Sequence, residues 1–177
     1  VPEGALQRAI QAIFAQAQAR EGGQSSTAFR ASYVEIFTDS STAARGRSCE
    51  EIRDLLSPGR GQIFASIRTD LDGQIRLEGV EEHEVWTADE ALRLLSLGSA
   101  ARATSSTRLN ETSSRSHALF SLQVIQARVV AGVPSTLRAK FQFVDLAGSE
   151  KVKASGAEGE QLNQAININH GLFVLGK

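Results

Sequence analysis

The sequence predicts an α/β fold, in which helices pack against a central sheet. Two runs alternate apolar and polar side chains with the period of two that is typical of strands, 118–124 and 137–143. Near the amino terminus, apolar residues recur instead with the period of a helix. A length of 177 residues is enough for one domain with a substantial core.

Composition narrows the class of protein without selecting a function. The chain is 41% hydrophobic and 22% charged, as soluble globular proteins usually are. Its net charge of −1 gives no overall basic field, so an anionic partner would have to meet a local patch. The single cysteine excludes an internal disulfide and fits a reducing compartment. No apolar run reaches membrane-spanning length and no signal peptide opens the chain, so no membrane partner is expected.

The remaining elements follow from local signals. The first helix is predicted to end near Gly22, and a buried strand is predicted over 29–37. Segments 63–68 and 74–77 flank a turn and suggest a small hairpin. Thr87 and Glu90 have the spacing of a capping box, so a helix should begin there; it is predicted to stop around Gly98. Residues 99–108 are then a loop, and its Arg102 either approaches phosphate or, as we prefer, is solvated.

A strand that ends in an aspartate is the first candidate site. The run 137–143 leads into Val144 and Asp145, and Gly148 follows. In α/β sheets, ligands bind beyond the carboxyl ends of strands. There a carboxylate can hold Mg²⁺ or one of its waters, and a glycine lets a backbone N–H approach a phosphate closely. The structural alternative is an exposed aspartate followed by a turn glycine.

A second polar loop, 110–117, precedes the other alternating strand. It holds an asparagine, three serines, an arginine and a histidine in eight residues. A serine hydroxyl is a hard oxygen ligand for Mg²⁺, and arginine can bind a carboxylate through two hydrogen bonds. The break at 130–134 turns the following strand back, so the two strands should form an antiparallel hairpin. A serine-rich loop that only caps a strand is the alternative.

These two loops resemble the nucleotide-sensing switch loops of the kinesin motor domain. Residues 110–117 fit the family pattern N-x-x-S-S-R-S-H, and 144–150 fit V-D-L-A-G-S-E, at every fixed position. The form I-N-x-G-L at 168–172 is similar to the chromokinesin branch. Three further segments resemble the family, so the likeness spans nearly the whole chain: 32–37, 51–56 and 155–172. The resemblance implies a partial kinesin-type P-loop NTPase fold, with a mixed central sheet flanked by helices.

The resemblance also divides the chain. Residues 1–177 would be the central part of a single motor domain that lacks the P-loop strand and the carboxyl-terminal elements. Within it, 38–50 would be a surface-loop insertion, 110–117 the first switch, 145–150 the second switch and 158–177 the relay helix.

A near match to the P-loop signature at 171–177 is interpreted as a helix end. It satisfies G-x-x-x-x-G-K, but its interior is apolar and no Ser or Thr follows the lysine. No other P-loop motif occurs in the 177 residues. The fragment alone is therefore predicted to be inactive as an ATPase.

By resemblance, individual residues acquire roles toward ATP and Mg²⁺. Ser114 would coordinate Mg²⁺ directly, and Asp145 would bind it through a water. Ser113 would help hold the phosphate, and the Gly148 N–H would contact the γ-phosphate. Asn110 would orient the attacking water.

Two further catalytic residues, Arg115 and Glu150, would form an ion pair that closes the site when ATP is bound. A bidentate pair suits this role because its geometry is well defined. The γ-phosphate would order both loops, and hydrolysis would release them.

The implied macromolecular partner is the microtubule. The contacts would come from Lys151, Lys153, Asn169 and His170, near and on a helix that in the family lies against tubulin. His170 stands where the family often has a lysine, which should weaken binding to an acidic surface. The implied location is the cytoplasm, on the microtubule cytoskeleton. Dimerisation would use a stalk outside this segment, and no nucleic acid partner is expected from it.

Two classes of function remain open. In the first, the chain belongs to a microtubule-stimulated ATPase that couples ATP hydrolysis to movement along microtubules. In the second, it is a nucleotide-independent microtubule-binding or structural relative without a P-loop. The intact pair of switch motifs favours the motor. A P-loop encoded upstream of Val1 would discriminate between them.

Overall fold

The predicted α/β architecture is confirmed. The structure is a computed structural model that describes residues 4–19, 25–39, 49–57, 66–69, 73, 75–108 and 116–147. In chain order the elements are α1 (Ala5–Ala19), β1 (Ser25–Asp39), β2 (Cys49–Asp54), β3 (Ser66–Thr69), β4 (Ile75–Glu78), β5 (His83–Val85), α2 (Ala88–Arg108), β6 (Ser116–Val130) and β7 (Val133–Asp145). Among these residues, neither helix is long and apolar enough to cross a membrane.

The main sheet has the strand order β2-β1-β6-β7, and β5 also pairs with β1. Every pairing within the described part of the chain is antiparallel. Strands β6 and β7 form the predicted hairpin, which closes at Ala131 and Gly132 with φ angles of 52° and 80°. Two successive positive φ angles match the twist of the flanking strands, as in other two-residue hairpin turns. The smaller predicted hairpin also forms, from β3 and β4.

The core lies between the two helices and one face of the sheet. The predicted apolar stripe of α1 is confirmed, because Ile10 and Phe14 are buried. The ring of Phe14 stacks on Phe29 of β1, with 4.0 Å between centroids. Tyr33 of β1 meets Phe120 of β6 edge to face at 5.6 Å. The first contact joins α1 to β1, and the second joins the neighbouring strands β1 and β6 beneath the helices.

The expected end of the second helix at Gly98 is wrong, and so is the loop predicted over 99–108. The helix α2 continues through Gly98 to Arg108. A Cβ atom at position 98 would lie 2.2 Å from Cδ1 of Tyr33, so only glycine lets α2 approach β1 this closely. At its start the helix follows the prediction, because the Glu90 N–H donates to Thr87 Oγ1 over 3.2 Å.

Replacing Gly98 by alanine should destabilise the protein by about 1–3 kcal/mol, although alanine is the better helix former by about 1 kcal/mol. The added methyl group would overlap the buried ring of Tyr33. Chemical denaturation measures the change. Ala100, exposed on the same helix, is the control, since Ala100→Gly reports propensity alone. A Gly98→Ala protein more stable than the parent would contradict the packing argument.

Strand β7 is more exposed than its alternating pattern predicts. The pattern predicts a half-buried strand, yet Leu137 and Phe141 on its apolar face are 52% and 41% exposed. The strand is last in the order of the sheet, so one of its edges has no neighbour among the described residues. An apolar groove of about 340 Å³ lies between α1 and this end of the sheet, with Ile13 and Phe141 in its lining.

The segment predicted as a surface insertion, 38–50, is partly strand. Thr38 pairs with Glu50 and Asp39 with Cys49, so β1 and β2 extend into it from both ends. Residues 40–48 lie outside the described residues. The insertion itself remains a prediction.

Candidate functional site

Four residues stand in one row across the sheet, at the end of β7 where Asp145 was predicted. Arg53 of β2 lies opposite Glu35 of β1, Glu35 opposite Ala118 of β6, and Ala118 opposite Asp145 of β7. Residues directly opposite each other on neighbouring strands project from the same face of a sheet. The row therefore places two carboxylates and a guanidinium on one side, with a small residue between the carboxylates.

Arg102 of α2 joins this row from above the sheet. Its Nη1 donates to Oδ2 of Asp145 over 2.6 Å, and its Nη2 donates to the carbonyl oxygen of Ser116 over 3.0 Å. Its Nε lies 3.6 Å from Oε1 of Glu35. The side chain is only 12% exposed. One guanidinium thus contacts β1, β6 and β7 at the same end of the sheet.

Glu35 is the buried charge at the centre of the cluster, 1% exposed. Its Oε1 accepts a 2.7 Å hydrogen bond from Ser116 Oγ, and its Oε2 lies 3.6 Å from Nη1 of Arg53. With Arg102 and Asp145, the cluster contains two positive and two negative groups. Such compensation is what permits a carboxylate to remain in the interior.

The segment after Asp145 is held by a second contact. Nδ1 of His117 accepts a hydrogen bond from the backbone N–H of Ala147 over 3.0 Å. His117 follows Ser116 at the start of β6, whereas Ala147 lies two residues beyond the end of β7. The end of the loop 110–117 and the start of the loop 145–150 are therefore neighbours in space. Arg102 joins them through Ser116 and Asp145, and His117 joins them through Ala147.

Comparison with known proteins identifies the family. The family model described as kinesin motor domain matches residues 2–177. The chain belongs to the kinesin motor domain family. Human kinesin-like protein KIF7 is 44% identical over 82% of the chain, and rice KIN-4C is 37% identical over 98%. The human chromosome-associated kinesin KIF4A is 36% identical over 98%.

The chain is short beside these kinesins, spanning 10% to 14% of the three relatives. A solved structure described as a fast kinesin superposes with a TM-score of 0.76 at 30% identity, covering 94% of this chain and 43% of that one. A KIF14 dimer on a microtubule superposes with a TM-score of 0.73 at 28% identity, covering 97% of this chain and 46% of that one. The likeness to the kinesin motor domain is confirmed in sequence and in fold.

Of the site residues predicted from the kinesin resemblance, the structure describes Asp145. It is the last residue of β7, as expected, and its side chain is 72% exposed. The others lie outside the described residues, so their roles and the Arg115–Glu150 pair stay predictions: Asn110, Ser113, Ser114, Arg115, Gly148, Glu150, Lys151, Lys153, Asn169 and His170.

The interpretation of Arg102 as a solvated loop arginine is wrong. It lies within α2, and its guanidinium is buried against two carboxylates. Sequence reasoning also missed Glu35, Arg53 and Ser116 as members of a cluster. One signal in the sequence pointed to Glu35, because it interrupts an apolar strand. A charged side chain buried in such a strand needs a partner of opposite charge.

Of the groups predicted to meet Mg²⁺ or phosphate, the structure describes Asp145, and the chemistry of its side chain suits that role. Asp145 offers an exposed carboxylate at a strand end, held through one oxygen. Mg²⁺ keeps several waters and is commonly bound by one or two carboxylates plus the phosphates of a substrate. Within the described residues, no group of three or more His, Cys, Asp or Glu could hold a metal ion.

Substitutions of His117 should show which of its two ring nitrogens accepts the hydrogen bond from Ala147. Asparagine places an acceptor near the position of Nδ1, so His117→Asn should retain the bond to Ala147, whereas His117→Gln should lose it. Loss of one such bond costs about 1 kcal/mol. Amide hydrogen exchange at Ala147 measures the difference, and exchange within β1 is the internal control. Equal protection in both variants would contradict this assignment.

Proposed function

We propose that this chain carries both nucleotide-sensing loops of a motor that couples ATP hydrolysis to movement along microtubules. The main support is the juxtaposition of Ser116 and His117 with Asp145 and Ala147. These residues belong to the two motifs that resemble the kinesin switches, which supports the idea that groups on both loops can meet around one phosphate.

In this proposal, different residues of the chain bind the metal, bind the phosphate and orient the attacking water. Asp145 would hold Mg²⁺ through a water, Ser114 would contribute a hydroxyl to the metal, and Ser113 and the Gly148 N–H would contact phosphate. Asn110 orients the attacking water. When bound, Mg²⁺ would neutralise the charge of the phosphates.

Closure of the site would come from the ion pair between Arg115 and Glu150. The two loops order around the terminal phosphate and relax once it leaves. The segment 158–177 then passes this change to the microtubule, through contacts of Lys151, Lys153, Asn169 and His170. The proposal includes a cytoskeletal location and a dimer formed through a stalk outside this segment.

The experiment uses the full-length natural protein that contains this chain. Its release of phosphate from ATP should accelerate when microtubules are added, and its co-sedimentation with microtubules should change with the nucleotide. Microtubule binding that is insensitive to nucleotide, without phosphate release, would favour a nucleotide-independent microtubule-binding relative. A P-loop in the upstream sequence is expected with the first result.

The 177-residue chain alone should show no turnover, because it lacks a P-loop motif with the usual hydroxyl. Phosphoryl transfer depends mainly on positioning and electrostatics, and the P-loop is the principal positioning element. Steady phosphate release by the purified chain, abolished by Asn110→Ala, would contradict this expectation.

A further inference from the structure

We propose that Glu35 and Arg53 are positioning residues that hold the hydroxyl of Ser116 and so fix the end of the loop 110–117. The inference rests on the proposed function and adds to it two residues from β1 and β2, outside both polar loops. In the sequence, Ser116 directly follows Arg115, the arginine proposed to close the site. A contact that fixes Ser116 therefore fixes the point from which this part of the loop departs.

Ser116 is the first residue of β6 and is nonetheless fully buried, at 0% exposed. Its Oγ donates a 2.7 Å hydrogen bond to Oε1 of Glu35, which is 1% exposed. A hydrogen bond to an ionised acceptor is roughly twice as strong as one between neutral groups. The loop 110–117 thus ends on a buried, charge-assisted bond to a neighbouring strand.

The carboxylate that accepts this bond is oriented from its other side by Arg53. Arg53 stands directly opposite Glu35 in the pairing of β2 with β1, and its Nη1 lies 3.6 Å from Oε2 of Glu35. The two carboxylate oxygens therefore contact two different strands, Oε1 the serine of β6 and Oε2 the arginine of β2. Because Arg53 is only 17% exposed, salt and water screen this ion pair weakly.

The end of β2 that carries Arg53 is held in turn by the next residue. Asp54, 8% exposed, accepts hydrogen bonds from the backbone N–H groups of Leu56 and Glu81, each over 2.9 Å. One buried carboxylate thus joins the end of β2 to the segment that leads into β5. Arg53 projects from a fixed backbone, and its contact with Glu35 is preorganised.

The expected consequence of this anchor, formed by Glu35, Arg53 and Ser116, concerns closure of the site. Without the Ser116 hydroxyl, the residue after Arg115 is no longer fixed, so Arg115 would reach its proposed partner Glu150 less often. The groups proposed to bind ATP are not altered. A contact that forms only on closure contributes to the transition state, so its weakening lowers kcat and leaves KM for ATP nearly unchanged.

The first test is the steady-state release of phosphate from ATP by the full-length natural protein with microtubules. Ser116→Ala should lower kcat about tenfold and change KM for ATP less than about twofold, since it removes one hydrogen bond to a charged group. The matched control is Ser121→Ala on the same strand, because Ser121 is also buried, at 6% exposed. Its kcat should match that of the parent.

A double-mutant cycle tests whether Arg53 acts through Ser116. Arg53→Met keeps an unbranched side chain and removes the guanidinium, so it should lower kcat several-fold at unchanged KM. In a Ser116→Ala background the same substitution should lower kcat no further, because the hydroxyl that it positions is already absent. Arg30→Met is the matched control: the Arg30 side chain is 42% exposed on β1, and its partner Glu84 is exposed as well.

The outcomes separate this inference from the proposed function. If the parent releases phosphate and Ser116→Ala is as fast as Ser121→Ala, the anchor is overturned and the motor proposal stands. A purely structural role predicts a lower melting temperature with unchanged kcat, or losses of kcat that add in the double variant, and either result also overturns it. Arg53→Met, on the first strand of the sheet, supplies the same comparison of kcat and KM should Ser116→Ala not fold. If the parent releases no phosphate, the proposed function and this inference fail together.

Discussion

Replacing Glu35 by glutamine should lower the free energy of unfolding by about 3–5 kcal/mol, because it removes one partner of a buried ion cluster. Glutamine keeps the size of the side chain but leaves the guanidinium groups of Arg53 and Arg102 without their shared carboxylate, which lies 3.6 Å from each. Both arginines would remain largely buried with an excess of positive charge. Urea denaturation followed by circular dichroism measures the change.

The control for this substitution is Glu84→Gln on β5. Glu84 accepts a 3.3 Å hydrogen bond from Arg30, but both side chains are exposed. Exposed pairs contribute about 0–1 kcal/mol, so this variant should remain close to the parent. Equal losses for the two variants would mean that the cluster around Glu35 contributes no more than a surface pair.

The second large effect concerns association of the 177-residue chain. With an apolar strand at one end of the sheet, the purified chain should form species well above its mass of 19.0 kDa as its concentration rises. Introducing lysine at two exposed apolar positions, Leu137→Lys with Val144→Lys, should shift it toward the monomer. Sedimentation velocity measures the distribution.

The comparison variant is Leu97→Lys, which removes an exposed leucine from helix α2 and leaves β7 intact. It should associate like the parent, because a helix surface offers no unpaired strand edge. A parent chain that sediments as a clean monomer and melts cooperatively would refute the expectation. So would equal relief of association by Leu97→Lys.

Elements whose pattern is local were predictable from the sequence. The first helix and the β6–β7 hairpin follow from side-chain period and turn residues, and both form as expected. The position of Asp145 at a strand end also follows, because the alternation of β7 stops there. In each case the information lies in one continuous stretch of chain, the longest being the hairpin over 116–145.

The errors arose where a distant residue decides the outcome. Gly98 is a helix breaker by propensity, but the ring of Tyr33 makes it a packing requirement. A helix that stops at Gly98 places Arg102 in a loop, away from its partners on three strands. Glu35 lies 67 positions before Arg102 in the sequence and Asp145 lies 43 positions after it, so no local pattern connects them.

Strand β7 forms as predicted but differs from the prediction in how much of it is buried. Its alternation correctly predicts a strand with an apolar face, and burial depends on what covers that face. Among the described residues, α1 lies beside the groove that Leu137 and Phe141 line, and this cover leaves them 52% and 41% exposed. The period of the apolar residues shows which face of a strand is apolar. It does not show which element packs against that face.

The order of strands also bears on how the chain folds. Central strands β1 and β6 pair Phe37 with Ser116 and Ser25 with Arg128, so the partners lie about 80 to 100 positions apart and contact order is high. The β6–β7 hairpin closes locally and should form early, with β1 docking on it later. Loop-closure entropy rises by only about 0.6 kcal/mol for each doubling of loop length. Lengthening the chain between β1 and β6 should therefore slow folding slightly and change stability little, which makes that interval tolerant of added sequence.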